Sequence, residues 1–214
     1  MKFITIADTH GQHKKLQLPQ GDVIIHAGDI SGRGEESAVI EFLEWFTNLD
    51  FKYKIFIAGN HDFYFERKSE EEFKKIIPDN IIYLCDSGIT IENIKIWGSP
   101  VTPWFYDWAF NRTRGNQIKR HWDLIPADID ILITHGPVFG KLDKTNDGQN
   151  VGCKDLLVKV QEINPKFHIC GHIHEAYGQV TESKTNFINA SVLDEHYRLK
   201  NLPITFDMKS EIQK

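Results

Sequence analysis

The sequence contains few cysteines and no apolar run that approaches the length of a membrane-spanning helix. Cys85, Cys153 and Cys170 lie far apart, and no two of them form a Cys-x-x-Cys pair. This spacing disfavours both a disulfide framework and a thiolate zinc site, and it is typical of a reducing compartment. The N-terminal segment reaches the acidic Asp8 before a signal-peptide core could form. We therefore expect a soluble, cytoplasmic protein with no membrane partner.

A long basic segment is also missing. The chain carries 25 Lys and Arg against 30 Asp and Glu, for a formal net charge of -5. No Lys/Arg run stands out that could follow a nucleic-acid backbone, so duplex nucleic acid is a disfavoured partner. The remaining composition, 41% hydrophobic and 26% charged over 214 residues, is that of an ordinary globular protein. We expect a single domain over residues 1–214.

Short β-branched runs alternate with helical or loop-rich stretches along the chain. Strands are predicted at residues 3–7, 22–26, 54–58, 81–84, 94–97, 129–134 and 167–170. Apolar residues at helical spacing predict helices over residues 35–49 and 150–163. This alternation favours an α/β layered domain, and late strand candidates at 186–189 and 204–206 suggest a second sheet.

Five short polar motifs each follow a predicted strand. They are Asp8-Thr9-His10, Gly28-Asp29, Gly59-Asn60-His61-Asp62, His135-Gly136 and Gly171-His172-Ile173-His174. In open α/β sheets the strand ends line the ligand crevice, so these side chains can converge although they are scattered in sequence. Their donor atoms are carboxylate oxygen, amide oxygen and imidazole nitrogen, without sulfur. Such a set indicates a pair of divalent ions and favours Mn, Fe, Zn or Ni.

The order of these motifs resembles the calcineurin-like metallophosphoesterase superfamily over residues 8–174. The segment from Trp97-Gly98-Ser99-Pro100 to Asn111 further resembles the subgroup that contains the brain-enriched metallophosphoesterase-domain proteins of animals. The resemblance implies a two-sheet β-sandwich flanked by helices, with a dinuclear metal centre at the strand ends. It also implies hydrolysis of a phosphate ester by attack of a metal-bridging hydroxide.

The resemblance further implies a ligand for each position of the two-metal centre. Asp8, His10 and His174 would hold the first ion, Asn60, His135 and His172 would hold the second, and Asp29 would bridge them. Two divalent ions exceed the charge of two carboxylates and one hydroxide, so the site would stay positive and attract a phosphate. Mn is the favoured metal, with Fe, Zn and Ni as alternatives.

Three neighbouring residues are candidates for catalysis. His61 has no place among the implied metal ligands and is the candidate general acid. Asp62 beside it could orient the ring and keep it charged. Arg33 occupies the spacing at which protein Ser/Thr phosphatases of the superfamily carry a phosphate-binding arginine. The rest of that motif differs here, with Ser31-Gly32 in the intervening positions, which disfavours a protein phosphatase.

Other chemically capable side chains have a structural interpretation. The aromatic segment comprises Trp97, Trp104, Phe105, Tyr106, Trp108 and Phe110. It could stack a nucleobase, but core packing is favoured for most of its members. Asn111, Arg112 and Arg114 could bind phosphate, although loop charges are usually solvated. We expect His13, His121, His168 and His196 to be structural or exposed. His26 is expected to be a core histidine in preference to a hydrogen-bond donor near the metals.

The favoured function is hydrolysis of a small phosphodiester with a nucleotide or aryl arm. A phosphomonoesterase with the same site is the close alternative. A binding or scaffold module that lost turnover is the alternative of a different class, but the complete ligand set and His61 disfavour it. A structure-specific nuclease is disfavoured by the acidic balance. The sequence leaves open the natural substrate, the native metal and the oligomeric state.

Overall fold

The computed structural model describes residues 1–209 and contains two large mixed β-sheets. The first sheet contains β1 (Lys2–Ile6), β2 (Val23–Ala27), β3 (Tyr53–Ile57), β4 (Ile82–Tyr83) and β13 (Ile204–Asp207), in the order β13-β1-β2-β3-β4. The second contains β5 (Ser87–Ile91), β6 (Ile94–Ser99), β9 (Ile131–Thr134), β10 (Phe167–Cys170), β11 (Gly178–Glu182) and β12 (Thr185–Asn189), in the order β11-β12-β10-β9-β6-β5. A small ribbon pairs β7 (Thr102–Pro103) with β8 (Asn111–Arg112).

The helices lie between these strands in sequence. They are α1 (Glu36–Thr47), α2 (Phe63–Arg67), α3 (Glu70–Lys74), α4 (Asn116–Trp122) and α5 (Lys154–Ile163). Two single 3-10 turns lie next to motifs of the predicted site: His13–Lys15 follows the first motif, and His174–Ala176 begins at the last residue of the fifth. No helix within residues 1–209 has both the length and the apolar character needed to span a membrane.

Alternation along the strands divides the core into layers. Ile25 of β2 and Ile133 of β9 belong to the cluster that lies between the two sheets. Ile24, on the opposite face of β2, packs instead in the cluster that contains Phe42 of α1. On the far side of the second sheet, Leu132 packs in the cluster that contains α4 and α5. Successive strand residues point to opposite faces, so each sheet buries both faces. The predicted α/β fold, a two-sheet β-sandwich flanked by helices, is confirmed.

The start of one helix and the placement of the late strands differ from the sequence predictions. The helix predicted over residues 150–163 begins at Lys154, because Cys153 forms an isolated bridge with Val138 and its Sγ caps the Leu156 N–H at 3.4 Å. The two late strands do not form a sheet of their own. Instead β12 pairs in parallel with β10, and β13 pairs antiparallel with β1. Each late strand therefore extends a sheet that earlier strands had begun.

The central strands share one direction within each sheet, which determines where the motifs lie. β1, β2 and β3 pair in parallel, and so do β9 and β10. Each of these five strands runs into one polar motif, so the motifs meet where the carboxyl ends of the strands lie.

His13 generates a prediction about stability. It is only 1% exposed, packs edge-on against Phe42 and beside Trp45, and has no hydrogen-bond partner on either ring nitrogen. Burial lowers the pKa of His13 from 6.5 to about 4. Between these values the unfolded chain binds a proton that the folded chain rejects, so folding stability falls as the pH drops from about 6.5 to about 4.

Between pH 7 and pH 4.5, the free energy of unfolding of His13→Leu should fall by roughly 1–3 kcal/mol less than that of wild type. Urea unfolding at pH 7 and pH 4.5, with a chelator present, measures the change for both proteins. If wild type and variant lose equal stability between the two pH values, His13 does not titrate in this way.

Candidate metal centre

Four of the seven predicted metal ligands adopt left-handed backbone. The φ angles are 55° at Asp8, 40° at His10, 57° at Asp29 and 72° at His172. This conformation costs a non-glycine residue about 1–2 kcal/mol. Backbone hydrogen bonds hold it: the Asp8 N–H donates to Gly28 O at 2.9 Å, and the His10 N–H donates to Asp29 O at 3.0 Å. Hydrogen bonds between the loops therefore maintain the strained backbone conformations that position these side chains.

Six of the seven predicted ligands converge with His61 into three overlapping groups. In each group the donor atoms lie within 4.8 Å of one another: Asp8 with His10 and His174, His10 with Asp29 and His61, and Asp29 with His135 and His172. Asp29 belongs to two groups, and its Oδ2 lies 3.6 Å from His10 Nε2 and 3.3 Å from His135 Nε2. Asn60 Oδ1 joins the same cluster, 2.8 Å from His135 Nε2. Asp29 is thus placed between the two predicted ion sites.

The imidazole rings are oriented from behind by backbone carbonyls. In four histidines, Nδ1 lies 2.7–3.1 Å from a backbone carbonyl oxygen. The pairs are His10 with Ser31 O, His135 with Ala27 O, His174 with Asp194 O and His61 with Gly32 O. An Nδ1–H that donates to a carbonyl leaves Nε2 as the free donor atom, which is the arrangement of metal-ligating histidines. The four Nε2 atoms face the carboxylates of Asp8 and Asp29.

The charges in the centre fit a cation. Burial raises the pKa of Asp8 and Asp29, but the facing imidazoles hold both below their usual range. Burial lowers the pKa of His135 and His174, but the carboxylates of Asp29 and Asp8 raise each to about 9. His10 Nε2 is buried without a hydrogen-bond partner. An orphaned nitrogen among nitrogen and oxygen donors fits a divalent ion, which would replace the protons on the histidines.

Three glycines permit this close packing. A Cβ on Gly59 would lie 2.2 Å from Asp29 Oδ1, and one on Gly171 would lie 2.3 Å from Asp8 Oδ2. Gly28 has a φ of +100°, and a Cβ there would lie 2.4 Å from His135 Nδ1. The absence of a side chain is therefore a steric requirement at these three positions.

Comparison with known proteins identifies the family. The calcineurin-like phosphoesterase family model matches residues 1–176. The chain belongs to the calcineurin-like phosphoesterase family. It is 41% identical to metallophosphoesterase domain-containing protein 1 of human and of mouse, over 97% of this chain and 71% of each relative. It is 36% identical to a UPF0046 protein of Caenorhabditis elegans, over 96% of this chain and 74% of that protein. The subgroup resemblance is confirmed.

A solved structure shares the fold of this phosphoesterase at low sequence identity. Phosphopantetheinyl hydrolase from Mycobacterium tuberculosis aligns with a TM-score of 0.62 and 11% identity, over 92% of this chain and 90% of the other. At this identity the likeness concerns the arrangement of sheets and helices alone.

Asp62 does not have the position expected for it. Its carboxylate accepts hydrogen bonds from the backbone N–H groups of Gly59, Ile30 and Ser31 and from the Ser31 hydroxyl, at 2.7–3.1 Å. The expectation that Asp62 orients the His61 ring is wrong, because both oxygens are used to join the second and third motif loops. Burial and the charge of Asp29 raise the pKa of Asp62 to about 6.

His61 is instead positioned by a stack of side chains. The Trp108 ring lies parallel to the His61 ring at 4.2 Å, and the Arg33 guanidinium lies over Trp108 at 5.2 Å from its centroid. His61 Nε2 is 4.0 Å from Asp29 Oδ2. The structure thus brings His61 to the metal ligands, while Arg33 lies against the outer aromatic ring.

An open cleft of about 550 Å³ leads to the centre. Trp104 and Phe105 line it and are each 56% exposed, and Tyr106 is also exposed. Core packing, expected for most members of the aromatic segment, does not hold for these three, although it holds for the buried Phe110. They lie in the loop that connects the parallel strands β7 and β8, outside the sheets and helices whose faces form the core clusters.

Sequence reasoning missed Tyr197 altogether. Its ring is edge-on to His10 at 4.9 Å and to His174 at 5.1 Å, and it lines the cleft. The loop between β12 and β13 brings it there, and no local motif marks it. Of the three candidate phosphate-binding residues in the adjoining loop, Arg114 lines the cleft. Arg112 contacts Glu66 at 3.5 Å, and the Asn111 amide donates to Thr102.

The other histidines have structural environments. His26 is buried, lies 2.9 Å from the Thr9 hydroxyl and packs edge-on to Phe42, in agreement with the core interpretation. His168 is buried beside the Thr134 hydroxyl at 2.8 Å, and His121 contacts Asp86 at 2.6 Å.

The glycine contacts predict that a substitution at Gly59 weakens metal binding without unfolding the protein. Gly59→Ala should displace the Asp29 carboxylate and lower Mn²⁺ affinity at least about tenfold, within the range seen when groups that support metal ligands are altered. Gly32→Ala is the matched control, because a Cβ at Gly32 meets nothing within 4 Å. Calorimetric titration with Mn²⁺ measures both, and circular dichroism checks the fold. Wild-type affinity in Gly59→Ala would contradict the steric requirement.

Proposed function

We propose that this phosphoesterase hydrolyses small phosphodiesters that carry a nucleotide or aryl arm, with two divalent ions held at the centre. The position of Asp29 carries the proposal, because its carboxylate takes part in ligand groups on both sides. Asp8, His10 and His174 would hold one ion, and Asn60, His135 and His172 the other. Mn²⁺ is the proposed ion, with Fe, Zn and Ni as alternatives, since the donors are nitrogen and oxygen.

The ligand set favours binding of an anion. When bound, the two ions supply Lewis acidity that polarises a phosphoryl oxygen and lowers the pKa of a water. Only Asp8 and Asp29 among the proposed ligands are anionic, and the other five are neutral donors when they bind metal. The loaded centre therefore keeps a positive charge that attracts the phosphate.

His61 has the geometry of a proton donor. Its Nδ1 faces Gly32 O at 2.7 Å, and its other nitrogen lies on the side of Asp29 and the cleft. Stacking on Trp108 limits rotation of the ring. We assign His61 to protonation of the leaving oxygen, a step in which a positioned histidine contributes about 10²–10⁴-fold.

The shape of the cleft favours a diester over a monoester. A volume of about 550 Å³ and the exposed faces of Trp104 and Phe105 provide space for an organic arm beyond the phosphate. Arg33, the predicted phosphate contact, lies over Trp108 and outside the residues that line the cleft. A monoester dianion would need an arginine at the predicted Arg33 position more than a diester monoanion does, and Arg114, the arginine that does line the cleft, is tied to the loop of residues 151–152.

We also propose a cytoplasmic location. Cys85, Cys153 and Cys170 are all free thiols, as expected in a reducing compartment.

Matched aryl phosphate esters test the reaction. The protein should hydrolyse bis(p-nitrophenyl) phosphate with a higher kcat/KM than p-nitrophenyl phosphate, in the presence of Mn²⁺ and not of a chelator. Asp29→Asn is the control, because it keeps a residue that tolerates left-handed backbone and removes the shared charge. It should lose at least about 10²-fold of both activities.

A preference for the monoester would contradict the diester assignment and favour the phosphomonoesterase. Full activity in Asp29→Asn would contradict the two-ion proposal itself.

His61 gives a prediction that depends on the leaving group. His61→Ala should lose about 10²-fold or more with an alkyl leaving group but much less with p-nitrophenolate, which needs no proton. Mn²⁺ content, measured by inductively coupled plasma mass spectrometry, should equal that of wild type.

The measurement of Mn²⁺ content is essential, because a ring nitrogen of His61 lies within 4.8 Å of donor atoms of His10 and Asp29 and could bind the same ion. A fall in bound Mn²⁺ would show that His61 is a ligand, and an equal loss with both leaving groups would exclude the acid role.

A further inference from the structure

Arg114 is a fixed cation in the wall of the cleft. Its Nη1 donates to Gly152 O and its Nη2 to Val151 O, each at 2.9 Å. These acceptors are neutral, and within residues 1–209 no carboxylate forms an ion pair with Arg114. The two hydrogen bonds hold the planar guanidinium in place, while its charge and its remaining N–H donors stay available.

The environment of Arg114 distinguishes it from other arginines near the site. Arg112 pairs with Glu66, and Arg198 pairs with Asp194 at 2.7 Å. Among the residues that line the cleft in the described part of the chain, Arg114 is the only lysine or arginine. An uncompensated cation in a protein of net charge -5 marks this wall as a place where an anion would bind.

The cleft also carries a preorganised aromatic wall. The Trp104 indole N–H donates to Asp107 at 2.7 Å, and the Phe105 N–H donates to Asn111 Oδ1 at 2.6 Å. The same cleft is lined by Trp104, Phe105 and Arg114 and by the proposed metal ligands Asp29 and His172. A ligand that fills this cleft meets polar donors, aromatic faces and a guanidinium.

We propose that Arg114 forms a second anion-binding subsite, which recognises a phosphate or carboxylate on the arm of the substrate that does not react. The substrate class is then a phosphodiester with an aromatic ring and an additional anionic group. This inference rests on the proposed function, since it places the scissile phosphate at the metal centre. Guanidinium binds phosphate and carboxylate through paired N–H donors, so either anion satisfies the site.

Two p-nitrophenyl esters of thymidine 5′-phosphate test the subsite. One has a free 3′-hydroxyl and the other a 3′-phosphate, and release of nitrophenolate is followed in the Mn²⁺-loaded protein. Wild type should prefer the 3′-phosphorylated ester by about 10- to 100-fold in kcat/KM, the range for a hydrogen bond to a charged group. Arg114→Gln should reduce this ratio to near one, and Arg114→Lys should retain part of it.

Arg120→Gln is the matched control. It removes the same charge from an exposed position on α4 that does not line the cleft. Its ratio should equal that of wild type. If Arg114 only ties its loop to residues 151–152, Arg114→Gln lowers the melting temperature and leaves the ratio unchanged, which overturns the proposal.

Other outcomes separate the subsite from the function. Equal losses for both esters in Arg114→Gln would place Arg114 on the scissile phosphate and overturn the subsite. A wild-type ratio near one would overturn it while leaving the phosphodiesterase intact. If neither ester is hydrolysed, the proposed function fails. Calorimetric binding of thymidine 3′,5′-bisphosphate against thymidine 5′-monophosphate then decides the subsite, which requires tighter binding of the bisphosphate that Arg114→Gln abolishes.

Discussion

The buried carboxylate of Asp29 is the constraint on which the site depends. Only 2% of the residue is exposed, so its charge must be compensated by neighbours. The backbone N–H of His61 donates to the Asp29 carboxylate at 2.8 Å, and the rings of His10 and His135 face that carboxylate. These partners come from three different strand ends, and Gly59 is small because the carboxylate occupies the space of a side chain. One charge therefore organises loops that are distant in sequence.

The two sheets make this convergence possible. Asp8, Asp29 and Asn60 follow strands of the first sheet, whereas His135 and His172 follow strands of the second. Packing of the sheets through the cluster that contains Ile25 and Ile133 aligns the two sets of strand ends. The apolar layer between the sheets thus determines the distance between ligands of the same proposed ion, such as Asp8 and His174 or Asn60 and His135. Core substitutions far from the centre would act on the chemistry through this distance.

The convergence of the candidate ligands was predictable because each polar motif follows an apolar strand run, as the motifs of Asp8 and His135 do. The edge strands β5 and β11 escaped prediction because β5 has few buried positions and four of the five residues of β11 are exposed. Asp62 was assigned to the wrong partner, since adjacency to His61 in sequence does not reveal that its side chain turns to the backbone of Ile30 and Ser31. Tyr197 lies in no motif, and only the tertiary fold brings it to the ligands.

The left-handed backbone of the ligand residues has a consequence for transplanting the centre. A scaffold that offers Asp8, His10, Asp29 and His172 equivalents in ordinary β or helical conformations would aim their donor atoms elsewhere. A design would have to include the turns and the glycines that make room for them, because the positions of the donor atoms depend on the backbone conformation as well as on the side-chain identities. Sequence motifs copied onto an idealised backbone would preserve the composition of the centre without its shape.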